Sequence, residues 1–168
     1  LMHNIPFYLL LGVVGGFMSA YFTFVYEGVN RFFSKFSSAY LRIVIGGAIL
    51  GLLVFVMPPL YGEGHEVINH LKAGHPELSI SSNIFGWNLE NPWVVILLLG
   101  GLVLFKVVAT SVTFGAGGVG GIFSPMLFMG GVMGNCFARI INQIDILPYK
   151  LPLANFTLIG MTALMTGV

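Results

Sequence analysis

The stretch Gly115-Ala116-Gly117-Gly118-Val119-Gly120-Gly121-Ile122-Phe123-Ser124-Pro125-Met126 decides how the rest of the chain is read. Five of its first seven residues are glycine, and no charge occurs anywhere from residue 107 to residue 138. A soluble loop so rich in glycine would be flanked by polar residues, whereas this one is flanked by apolar runs. Irregular backbone at membrane depth persists only where protein or water surrounds it. Directly after the glycines a helix starts, because proline is at home in a first turn. The first amides of a helix have no internal acceptor, and the aligned peptide dipoles place roughly half a positive charge there. Such an end holds an anion without any basic side chain.

Outward from this point the same pattern repeats. Residues 4–26, 43–62, 91–105 and 151–168 are also free of charge. Several of these runs reach the ~20 residues needed to cross ~30 Å of hydrocarbon. Of the 168 residues, 57% are hydrophobic and 8% charged, against roughly 25% charged in soluble domains. The fold class is therefore all-α, a polytopic integral membrane protein with interrupted or re-entrant helices. Helices are expected at about 6–36, 41–57, 63–72, 92–113, 122–141 and 152–168, the last two not needing to cross the whole bilayer. The opening run is no secretory signal, since it lacks a basic leader and a small-residue cleavage site. The chain starts without Met and stops inside an apolar run, so 1–168 reads as one membrane-domain fragment of a longer protein.

The net charge of +1 is spread thinly, which leaves no footprint for nucleic acid. The single cysteine, Cys136, excludes an internal disulfide and reads as a small apolar residue. Arg31, Lys35 and Arg42 cluster between two apolar runs, which places residues 27–42 on the cytoplasmic side. Lys106 lies inside an apolar run, and an intramembrane charge is a functional candidate. The favoured reading is that it snorkels to the inner interface, with an aqueous vestibule as the alternative. Phe7, Tyr8, Tyr21, Tyr26, Trp87 and Trp93 read as interface belt and lipid-facing bulk.

Residues 61–91 form the main polar connection, with four of the six acidic residues and three of the four histidines. Within it Gly62-Glu63-Gly64-His65-Glu66 and His70 resemble a zinc-protease signature superficially. The spacing fails: His65 and His70 are five apart, about 140° round a helix, and Asn69 stands where the second histidine should be. No metal is therefore expected, and a membrane-embedded metalloenzyme using His65, Glu66 and His70 is the least favoured alternative. For the glycines, the competing explanation is close helix packing through the pairs Gly117/Gly121 and Gly130/Gly134. Gly121→Val is expected to crowd the loop.

With those residues in view, the chain resembles the CLC family of chloride channels and chloride/proton exchangers. The family's Gly-x-Phe-x-Pro pattern with later glycines stands here as Gly121, Phe123, Pro125, Gly130 and Gly134. "IGGAILGLLVFVMPPLYGEG" (45–64) and "FTLIGMTALM" (156–165) occur in the family's order. The resemblance implies a partial inverted-repeat fold, namely the helices lettered J to O of the second repeat. It implies a chloride ion held by the backbone amides of Ile122 and Phe123, with Gly121, Ser124 and Pro125 completing the motif. It further implies no cofactor, chloride as substrate, protons as a counter-substrate in exchangers, a homodimeric parent, and the plasma (inner) membrane of a bacterium. The family's anion-binding serine motif, gating glutamate and late tyrosine do not occur in 1–168. Gly115 replaces a serine frequent in the family's loop. A fluoride-selective member or a passive channel is the alternative within the family, and a scaffold built on small-residue packing is an alternative outside it.

Overall fold

A computed structural model describes residues 4–61, 64–73, 91–145 and 148–167. Among them lie six α-helices: α1 Ile5–Ser34, α2 Ala39–Val56, α3 His65–Ala73, α4 Pro92–Gly115, α5 Phe123–Ile144 and α6 Leu153–Gly167. One 3-10 turn, Pro58–Leu60, comes after α2. No strand occurs among the described residues. The helix limits lie within three residues of those expected wherever they fall on described positions. Trp87 and residues 62 and 63 lie outside the described residues, as does the side chain of His65.

Local chemistry accounts for the ends. Pro6 and Pro92 occupy first-turn positions of α1 and α4, where a missing N–H costs nothing. The Asn91 side chain caps α4 by accepting from the Trp93 N–H at 3.0 Å. Pro58 and Pro59 stop α2. At the other end of α4 the backbone closes by a Schellman motif, the Gly117 N–H reaching Phe114 O at 3.0 Å and the Gly118 N–H reaching Thr113 O at 2.8 Å. Gly117 has φ 100°, a conformation other residues adopt only with strain.

By length and apolarity α1, α2 and α4 can cross a membrane. The 15 residues of α6 rise only about 22 Å. Point contacts give the topology. Tyr8 meets Phe156, and Gly15 meets Ala163, so α1 and α6 run parallel. Lys106 lies beside Phe128 and Ile96 beside Cys136, so α4 and α5 are antiparallel. Gly64 lies against Phe128 and Leu71 against Asn135, so α3 runs alongside α5 in the same direction. The core joins α1, α3, α4 and α5 through Phe22, Leu71, Leu99, Leu102, Val107 and Phe128, with a second cluster round Leu11, Met133 and Phe156.

The most extensive helix pair is α5 with α6. Glycine explains it, because a Cβ at Gly130 or Gly134 would overlap the Gly160 or Phe156 carbonyl oxygen. Gly130/Gly134 therefore works as a packing pair. Gly117/Gly121 does not, since no atom lies within 4 Å of a Cβ built at either position. Next to the glycine contact, Asn135 is fully buried and donates to Leu71 O at 3.3 Å and Thr157 Oγ1 at 3.0 Å. Its own Oδ1 accepts from Arg139 Nε at 2.8 Å. One amide thus ties α3, α5 and α6 together inside an apolar interior.

Candidate anion site

The site is built where α4 stops and α5 starts. After the Schellman turn, Val119 is fully exposed and the chain passes Gly120 and Gly121 before α5 begins. Ile122 is the N-cap residue, and its carbonyl accepts from the Met126 N–H at 3.1 Å. Among the described residues no backbone carbonyl accepts from the amides of Gly120, Gly121, Ile122, Phe123 or Ser124. Pro125 has no N–H to satisfy. No side chain caps this end. Ser124 Oγ is buried and likewise has no partner among the described residues. A helix end with several orphan donors and an orphan hydroxyl is what an anion, or water in its place, can satisfy.

Gly120, Gly121 and Pro125 line a cleft of about 520 Å³. Its other walls are Leu50, Gly51 and Val54 from α2, Leu60 and Tyr61 after the 3-10 turn, and the face of α4 bearing Lys106, Thr110 and Thr113. The Ile122 and Phe123 side chains are 37% and 60% exposed, so they point away from the packed core. Gly121 borders this open space, and the expectation that Gly121→Val would crowd the loop is corrected. A Cβ built there meets no atom within 4 Å beyond its chain neighbours.

Lys106 corrects the sequence reading too. It does not snorkel: it is 5% exposed, its Nζ donates to Leu60 O at 2.8 Å and lies 5.1 Å from the centre of the Phe128 ring. It belongs to the cleft wall. Thr110, one turn on, is 6% exposed. The spacing Lys106, Thr110, Thr113 is i, i+4, i+7, one helix face, and was the available signal that these residues share a surface. Single-sequence reading weighed Lys106 alone and missed the threonines.

His65, Glu66 and His70 lie on α3, which packs beside α5 and α6 rather than at the cleft. Glu66 is exposed, and among the described residues no three His, Cys, Asp or Glu side chains converge on a common point.

A sequence profile described as voltage gated chloride channel matches residues 1–168, the whole length of this chain. The apolar spans and the all-helical architecture of the described residues agree with that match. This chain belongs to the voltage gated chloride channel family, and it is an integral membrane protein of chloride transport.

Proposed function

We propose that the backbone amides of Ile122 and Phe123 hold chloride at the start of α5, as one wall of a transport pathway that continues through the cleft beside α4. Gly121, Ser124 and Pro125 shape this end: Gly121 leaves the approach open, Ser124 offers its hydroxyl, and Pro125 fixes the first turn. The observation that carries the reading is the set of orphan amides from Gly120 to Ser124, on a stretch whose Gly120, Gly121 and Pro125 line a 520 Å³ cleft. The physical logic is that a partly dehydrated anion needs positive potential, while a bare ammonium in contact would bind too firmly for release. Partial charges on amides lie between those limits. On this reading the protein works as a homodimer in a bacterial plasma membrane.

The test removes the donor and leaves the side chain. Replacing Phe123 by its α-hydroxy acid converts the amide to an ester, and chloride affinity of the intact protein in calorimetry should fall roughly tenfold to a hundredfold. Ile122→Val should be nearly silent, because its side chain is no ligand. Unchanged affinity in the ester, or loss of binding in Ile122→Val, would refute the reading.

A further inference from the structure

A serine or threonine inside a helix can spend its hydroxyl hydrogen on a carbonyl of the preceding turn. The described helices use that option repeatedly: Thr23 donates to Ser19 O at 3.1 Å, and Ser111, Thr113 and Thr157 donate to Val107 O, Ala109 O and Leu153 O at 2.8 Å each. Thr110 departs from the pattern. Its neighbours Ser111 and Thr113 are tied to their own helix, whereas the Thr110 hydroxyl donates to no described residue. Ser124 is the other exception among the helical hydroxyls. Thr110 is only 6% exposed, and a buried donor without an acceptor is costly unless something that enters can satisfy it.

The open space that Thr110 borders is the 520 Å³ cleft, which Gly120 and Gly121 border too. The amides of those glycines have no backbone acceptor among the described residues. No Asp or Glu stands among the described residues that line the cleft, so no carboxylate there takes up these hydrogens. Unspent O–H and N–H donors on one cleft, without a carboxylate beside them, suit a small anion. We infer that Thr110 is a further anion-binding residue of the transport pathway, its hydroxyl donating to chloride within the cleft. A hydroxyl is fit for this work because it is neutral and its hydrogen rotates, so it can bind the ion in passing and let it go. The inference rests on the reading that chloride uses this cleft, and it adds a side-chain ligand from α4 to the backbone ligands of α5.

The experiment removes the hydroxyl and keeps the shape. In the intact protein, reconstituted in liposomes, Thr110→Val should raise the chloride concentration for half-maximal flux roughly threefold to tenfold, and calorimetric chloride affinity should fall by the same factor. Thr110→Ser, which keeps the donor, should stay within about twofold of wild type. Ser111→Ala is the control, since that hydroxyl is already bonded to Val107 O and does not line the cleft. Its chloride binding should be unchanged. If Thr110→Val matches wild type, or if Thr110→Ser is impaired as much as Thr110→Val, the hydroxyl is not a ligand and the inference is wrong. Should Thr110→Val fail to fold, a crystal of the unsubstituted protein grown in bromide carries the test. Anomalous density within hydrogen-bonding reach of the Thr110 hydroxyl supports the inference, and density at the Phe123 amide without any at Thr110 overturns it. Failure of the underlying reading looks different, because the Phe123 ester and Thr110→Val would then both leave chloride binding intact.

Discussion

Replacing Gly134 by alanine places a methyl group where α5 and α6 touch backbone to backbone. The added Cβ would overlap the Phe156 carbonyl oxygen and lie 2.9 Å from the Phe156 carbonyl carbon and 3.1 Å from Gly160 Cα. None of these atoms can rotate aside, so the helices must part by roughly 1 Å over a close-packed seam. Overpacking of this kind costs about 1–3 kcal/mol. The same displacement stretches the Asn135 to Thr157 bond beyond hydrogen-bonding range, and that bond is one residue away at 3.0 Å. Its loss adds about 1 kcal/mol. The total is about 2–4 kcal/mol. Gly47→Ala is the control, since no atom lies within 4 Å of its added Cβ, and it should be neutral or stabilising by up to about 1 kcal/mol. Unfolding of the purified protein in mixed micelles by a denaturing detergent, monitored by helical circular dichroism, measures both. If Gly134→Ala is no less stable than Gly47→Ala, the glycine seam does not hold α5 to α6 as argued.

Asn135→Leu should cost about 2–3 kcal/mol in the same assay, because it leaves Arg139 Nε without its acceptor and Leu71 O without its donor in an apolar interior. Thr157→Val, which removes one neutral partner of Asn135, should cost less, and an equal or larger loss would mean that the Asn135 amide is not the hub. Arg31, Lys35 and Arg42 should face the cytoplasm. Cysteine placed at Ser37, between α1 and α2, should resist an impermeant reagent applied outside intact cells, and rapid labelling would reverse the topology.

Some of this protein is written in one dimension. Uncharged runs longer than a bilayer's thickness fix helices and membrane insertion, because burial in hydrocarbon leaves each backbone group only its own helix for a partner. Pro6, Pro92 and the Pro58-Pro59 pair end or begin those helices by local sterics. The helix start after Gly121 was equally legible, since an α5 beginning at Phe123 depends on neighbours in sequence. Which glycines pack was not. Gly117/Gly121 and Gly130/Gly134 have the same spacing, and only the path of α6 across α5 makes the second pair a seam and leaves the first open. Lys106 was visible as a charge in an apolar run, yet it meets Leu60 and Phe128, 46 residues before it and 22 after. Whether a buried ammonium reaches the interface or a carbonyl depends on what the fold brings within about 3 Å of it. The Asn135 network joins residues from three helices, and polar residues that satisfy one another across long separations leave no periodic trace in sequence.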